Sequence, residues 1–205
     1  MTTKLDNYTA LEMLPIVLKL HPIINLTDDE YYEFCQLNEN LRIERTAKGE
    51  LVIMAPTGGE SGIRNAELTA DFVAWNRQTK LGVVFDSSTG FRLPKGSDRS
   101  PDVSWIKLDR WNTLTPQEKK SFPSICPDFV LELRSETDST KVIQDKMQEY
   151  LESGIRLGWL IDPKTKRVEI YRCGNAEVEI SQSPISLSGE DVLPGFVLNL
   201  QFVFS

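Results

Sequence analysis

The 205-residue chain has one histidine, three cysteines and no long apolar run, and each scarcity removes a class of chemistry. The histidine, His21, stands just before Pro22 and reads as a loop residue. An imidazole base needs a second group to orient it, so any chemistry here rests on carboxylates, lysine and a metal ion. Cys35, Cys126 and Cys173 are far apart, odd in number and match no metal-ligand spacing. That pattern excludes a zinc site held by a cysteine cluster and points to reduced thiols. The apolar stretch from Met13 to Leu20 is broken by Pro15 and Lys19 and is too short to cross a bilayer. The start also lacks the basic region and small-residue cleavage site of a signal peptide, so the expectation is a cytoplasmic protein with no membrane association. Positive charge is scarce as well, with a formal net charge of -7. Phosphate binding draws on a basic surface and released counterions, so the balance counts against a nucleic-acid ligand. It is no veto, because an acidic chain can carry a local basic stripe, and clustered carboxylates suit a cation.

What remains is the composition of a globular protein, 40% hydrophobic and 26% charged, in a length that fits one domain with a small appendage. Thr27 and Glu30 form a capping-box signature opening a helix through Tyr31, Phe34 and Leu37. Residues 1–40 therefore read as an N-terminal helical extension and 41–205 as the main domain. Leu41 to Thr46 and Leu51 to Ala55 have β character around the turn Ala47-Lys48-Gly49-Glu50, which predicts a hairpin. A helix is expected over Ser61 to Thr79, with Ile63, Ala66, Ala70 and Val73 as its apolar stripe and Glu67 within that stripe. Strands follow at Gly82 to Asp86, Phe91 to Leu93 and Asp102 to Lys107, and Thr115-Pro116-Gln117-Glu118 predicts a short surface helix.

Asp128 to Arg134 alternates, placing Phe129, Leu131 and Leu133 on one face and Val130, Glu132 and Arg134 on the other. Thr140 to Ser153 is the strongest helix, with Ile143, Met147, Tyr150 and Leu151 as its stripe and Gly154 placed to end it. Strands at Leu157 to Asp162 and Arg167 to Arg172 complete the pattern. A strand, crossover helix and strand predict a parallel pair, and the hairpins predict antiparallel neighbours. The fold class is α/β, with a mixed sheet flanked by helices.

Asp102 begins one predicted strand and Glu132 lies within another, so neighbouring strands can present the two carboxylates together. Magnesium takes oxygen ligands and is commonly held by one or two carboxylates at phosphoryl chemistry. Lys146 lies one helical turn from Val142 and Tyr150 at the edge of the packed face, from which an ammonium would reach inward to stabilise charge developing on a phosphate. Each residue also has a plainer reading. Pro-Asp is common turn chemistry, and Pro127-Asp128 repeats it with no catalytic assignment. Glu132 among apolar neighbours needs a partner, for which a salt bridge to Arg134 or Lys146 suffices. A lone helical lysine is ordinarily solvated.

Together, Pro101-Asp102, Glu132-Leu133-Arg134-Ser135, Lys146 with Tyr150, and Leu160-Ile161-Asp162-Pro163 resemble the PD-(D/E)XK nuclease superfamily. Within it they resemble the Uma-type family of bacterial restriction endonucleases, over about Arg42 to Phe196. The resemblance implies a restriction-endonuclease-like fold and a magnesium- or manganese-dependent endonuclease that hydrolyses DNA phosphodiester bonds, with Asp102 and Glu132 as metal ligands. The superfamily lysine normally stands two residues after the acidic one, where this chain has Arg134, so the resemblance implies that the lysine has moved to the helix as Lys146. Arginine is a poor base but can contact phosphate. Family members often carry a histidine at the start of the first core helix, where this chain shows Glu60-Ser61-Gly62, leaving Glu67 as that helix's contributor. Cutting both strands needs two sites, which favours a homodimer. The alternative is a catalytically weak or inactive nucleic-acid-binding or assembly module that keeps the fold. A structural partner protein is a third reading, in which the apolar C-terminal stretch from Gly195 to Phe204 forms an interface rather than covering its own core.

Overall fold

The computed structural model describes residues 15–136 and 138–205; the first residues of the predicted N-terminal extension lie outside that range. In chain order the elements are β1 (Ile16–Leu18), α1 (Asp28–Leu37), β2 (Arg42–Arg45), β3 (Leu51–Met54), α2 (Gly59–Thr79), β4 (Gly82–Asp86), β5 (Phe91–Arg92), β6 (Asp98–Arg99), β7 (Val103–Lys107), α3 (Leu108–Asn112) and β8 (Phe129–Leu133). They continue with α4 (Thr140–Ser153), β9 (Leu157–Asp162), β10 (Arg167–Arg172), β11 (Glu179–Gln182), β12 (Ser186–Ser188) and β13 (Val197–Asn199). No helix among the described residues is long and apolar enough to cross a membrane.

The main sheet runs β11-β10-β9-β8-β7-β4. Its neighbours pair antiparallel except β8 and β9, the pair that α4 connects and that the strand-helix-strand pattern predicts to be parallel. Each face of this sheet carries a core. Leu68 and Phe72 of α2 lie against Phe129, Leu131, Trp159 and the C-terminal Phe196 and Leu198. Met147 and Tyr150 of α4 join Val130, Leu160 and Tyr171 on the opposite face. The strand β8 is thus buried on both sides, and its Glu132 is enclosed rather than facing water. The C-terminal apolar residues Phe196, Leu198, Leu200 and Val203 are buried in this chain's own core.

A second sheet, β1-β3-β2-β6-β5, carries its own small core of Tyr31, Ile43 and Leu51. The capping box at Thr27 forms, with the Thr27 amide donating to Glu30 Oε2 at 2.7 Å and the Glu30 amide donating to Thr27 Oγ1 at 3.3 Å. The helix it opens is fixed to this sheet by Tyr31, whose hydroxyl donates to the Ile43 carbonyl at 2.9 Å. The segment read as a helical extension therefore contributes α1 and also an edge strand, since Ile16–Leu18 pairs antiparallel with β3.

Two local expectations are corrected. Thr115 to Glu118 makes its capping contacts, with the Thr115 amide donating to Glu118 Oε2 at 2.7 Å, but the chain forms turns there and no helix. On α2 the inward residues are Leu68 and Phe72, while Ile63, Ala66 and Ala70 are exposed. Both stripes repeat at helical spacing, and the one with the larger apolar surface wins the core. The helix α1 forms through Leu37 as expected, with Tyr31 as its buried anchor and Leu37 exposed.

Gly158 lets α4 lie close on β9. A Cβ there would stand 2.7 Å from Met147 Cε and 2.8 Å from Ile155 Cδ1, tighter than van der Waals contact. Gly158→Ala can be relieved by turning the ends of the Met147 and Ile155 side chains into other rotamers. Gly158→Val overpacks the interface and should cost about 1–3 kcal/mol, read as a lower urea midpoint with an unchanged slope.

Candidate active site

The register of the main sheet brings the predicted carboxylates together. β7 and β8 pair antiparallel with Val103 opposite Leu131, so Asp102, one residue before β7, comes level with Glu132. Asp102 Oδ2 accepts the Leu133 backbone amide at 2.8 Å, which ties the start of β7 to the end of β8. Both carboxylates are buried.

Lys146 reaches this pair from α4, as helical spacing predicts. Its Nζ lies 2.8 Å from Glu132 Oε1 and 2.9 Å from Glu44 Oε1, with the side chain largely enclosed. Tyr150, one turn further along the same helix face, donates its hydroxyl to Glu132 Oε1 at 3.0 Å. Asp102, Glu132, Lys146 and Tyr150 are therefore assembled in one place.

The other two sequence candidates are not. Glu67 is exposed on α2, because the true inward face is that of Leu68 and Phe72. The α2 residue that meets Asp102 is Asn65, whose Nδ2 donates to Asp102 Oδ1 at 3.4 Å. Arg134 lies beyond the end of β8, where its Nη1 pairs with Asp162 Oδ2 at 2.9 Å and its Nε donates to the Asp138 carbonyl at 3.2 Å. It braces the β8–α4 connection, and Lys146 rather than Arg134 neutralises Glu132. His21 is exposed in the turn between β1 and α1. Asp128 of the second Pro-Asp accepts the Lys107 amide at 2.8 Å and pairs with Arg110 at 2.9 Å, a structural role in keeping with its unassigned reading.

Glu44 of β2 is the main residue that sequence reading missed. It is 2% exposed, and besides Lys146 it holds Arg99 Nη1 at 3.0 Å and accepts the Ser100 backbone amide at 2.9 Å. Arg99 extends the network to Glu149 of α4, 2.6 Å away. Arg42, also on β2, donates to the Ser100 carbonyl at 2.7 Å and comes within 3.9 Å of Asp102. The signal in the sequence was the charge-rich run Ser97-Asp98-Arg99-Ser100-Pro101-Asp102, which is buried throughout and carries the chain from the small sheet to the large one. A charged run normally reads as a solvated surface, which concealed it.

The electrostatics divide the carboxylates. Burial pushes Glu132 up, the charges of Asp102 and Glu44 add to the rise, and Lys146 opposes it, leaving Glu132 at about 7. Burial likewise raises Asp102, against Arg42 and the Leu133 amide. Burial also works against the charge on Glu44, but Lys146 and Arg99 overcome it and hold Glu44 at about 2. Lys146 loses to burial less than it gains from Glu132 and Glu44, so its ammonium is strengthened. It is a fixed cation and not a base. Burial, then Glu132, keeps the Tyr150 phenol protonated, as its donation to Glu132 requires.

The donor set bears on what the cluster can hold. No three His, Cys, Asp or Glu residues among those described converge as a metal cage, which is unlike a closed zinc site. Asp102 uses Oδ2 on the Leu133 amide and leaves Oδ1 with only long contacts. Glu132 receives Lys146 and Tyr150 on Oε1, and its other oxygen accepts no hydrogen bond from the described residues. Two carboxylates that each have an oxygen to offer form a donor set that suits magnesium, a hard cation commonly held by one or two carboxylates.

The family described as "Uma2: Putative restriction endonuclease" matches residues 28–201, from α1 to beyond β13. The chain belongs to the Uma2 family. No curated protein matches it. The fold is similar to the crystal structure of a "putative nuclease belonging to DUF820" from Anabaena variabilis, with a TM-score of 0.69 over 88% of this chain and 98% of that one. The two chains are 21% identical, so the likeness speaks for the fold. The Uma2 match takes in every residue of the cluster, from Arg42 to Tyr150.

Glu44 supplies a test of the network. Because its carboxyl is held below the ordinary value of 4.5, its contribution to stability is present above that value and is lost as pH falls from 4.5 towards 2. Glu44→Gln should destabilise the protein by about 3–5 kcal/mol near neutral pH. The gap in Tm between variant and wild type should narrow on acidification through that window.

Proposed function

We propose that this Uma2 protein is a magnesium- or manganese-dependent endonuclease that hydrolyses DNA phosphodiester bonds, with Asp102 and Glu132 as metal ligands and Lys146 as the charge-stabilising cation. The observation that carries the reading is the meeting of Lys146 Nζ with Glu132 Oε1 at 2.8 Å, beside Asp102 and away from Arg134. A lysine thereby reaches the acidic pair from a helix, although none follows Glu132 by two residues. When bound, the ion supplies Lewis acidity and a water acidic enough to attack near neutral pH.

The chain's own residues divide the remaining work. Tyr150 and Lys146 fix the orientation of Glu132 through one oxygen and leave the other for the ion. The Leu133 amide does the same for Asp102. Lys146, held charged by Glu132 and Glu44, stabilises negative charge as it grows on the phosphate in the transition state. Arg42 has the most accessible side chain of the nearby cations, 36% against 12% for Lys146 and 10% for Arg99, which suits it to meet an incoming phosphate first. A homodimer, with one such centre per protomer, belongs to the same reading, and its dissociation in sedimentation would separate single-strand nicking from double-strand cleavage.

Glu132→Ala should abolish metal-dependent cleavage of a DNA substrate. Lys146→Met should lower kcat by on the order of 10²–10³-fold, as loss of one charge-stabilising donor does. Because Glu132 sits at about 7, Mn2+ affinity should rise with pH until that carboxyl is ionised and then level off. Unchanged cleavage by Glu132→Ala refutes the assignment. Wild-type protein that binds the ion without cutting identifies instead a module that has kept the fold and lost the chemistry.

A further inference from the structure

Asn65 occupies an unexplained position. It lies on α2, half-buried, with its carboxamide against the Asp102 carboxylate. Its Nδ2 makes only the long 3.4 Å contact with Asp102 Oδ1. Its Oδ1 is buried and has no hydrogen-bond partner among the described residues, an arrangement that folded proteins avoid unless the atom has another use. Serving only as a donor to Asp102 would leave that oxygen unexplained.

Resting on the metal-site reading above, we infer that Asn65 contributes its side-chain oxygen as a third protein ligand beside Asp102 and Glu132. Oxygen and nitrogen of a carboxamide exchange places by a half-turn about the terminal bond, which would bring Oδ1 to the side facing Asp102 Oδ1. In a magnesium shell with ligands at roughly 2.0–2.1 Å in octahedral geometry, adjacent oxygens stand about 3 Å apart. The observed separation of the two side-chain heads, 3.4 Å, needs little adjustment to meet that. A neutral amide ligand also fits the charge of the site, where two buried carboxylates, Asp102 and Glu132, already stand level on neighbouring strands. A third carboxylate would add to their repulsion when no ion is bound. The helix that sequence reading linked to the site through Glu67 thus contributes through a residue two positions earlier.

The test is direct Mn2+ binding to the full-length protein, followed by electron paramagnetic resonance of free Mn2+ and by calorimetry at mildly alkaline pH, with no nucleic acid present. Asn65→Ala should weaken binding by on the order of 10-fold or more with an unaltered circular dichroism spectrum. Asn65→Asp, which keeps an oxygen but removes the donor to Asp102, should bind as tightly as wild type or more tightly. Asn65→Ala with wild-type affinity overturns the inference. So does Asn65→Asp that binds as poorly as Asn65→Ala, because it would make Asn65 a hydrogen-bond donor only. Asp102→Asn and Glu132→Gln are the reference variants. If they bind Mn2+ as wild type does, or if wild type binds none at millimolar ion, the metal-site reading itself fails and this inference goes with it. Loss in those two variants with Asn65→Ala unaffected leaves that reading standing and removes Asn65 alone.

Discussion

The Lys146 ammonium, held between Glu132 of the large sheet and Glu44 of the small one, is the interaction on which the rest of the centre depends. A buried carboxylate without a cation either picks up a proton or costs several kcal/mol, and here two carboxylates from different sheets use the same cation. The pairing does more than offset charge. It sets the spacing between β2, β8 and α4, and through Arg99 it extends to a second point on α4 at Glu149. Both sheets and the crossover helix therefore share one polar junction, placed where the three apolar cores end.

The same junction treats its acids unequally. Glu44 lies between two cations and a backbone amide and stays ionised well into acid. Glu132 shares Lys146, feels Asp102 and Glu44, and holds its proton to near neutrality. One acid is thus a fixed anchor, and the other takes up or releases its proton near neutral pH. The division follows from position along the strands, since β2 faces Arg99 and Ser100 while β8 faces Asp102.

Where the chain is strongly periodic, the sequence could be read almost to the residue. The strand at Gly82–Asp86, the helix at Thr140–Ser153 with Gly154 ending it in a left-handed conformation, and the strands Leu157–Asp162 and Arg167–Arg172 all form as expected. That Glu132 and Lys146 would meet was legible because an acid in an apolar strand needs a partner and helical spacing located one, while Asp102 was reached through the Pro-Asp strand start and the family resemblance. Glu44 and Arg99 were not, because their burial depends on two sheets meeting, a long-range event that leaves no local periodicity. Glu67 was misplaced for a related reason. On α2 a stripe of small residues and a stripe of large ones compete, and choosing between them takes the volume of the core they face. Residues 1–14, part of the predicted extension, fall outside the described structure.

The lysine that meets Glu132 arrives from α4 and not from the strand that carries the acid. A motif written as a string fixes the interval between acid and lysine, and this chain does not satisfy it, since Arg134 stands in that slot and is occupied with Asp162. Written as distances, the arrangement here is an ammonium within 3 Å of the acid, entering from α4. Arg134 serves as a brace for the loop that precedes the helix. What persists is a constellation in space, and its members can be supplied from different parts of the chain.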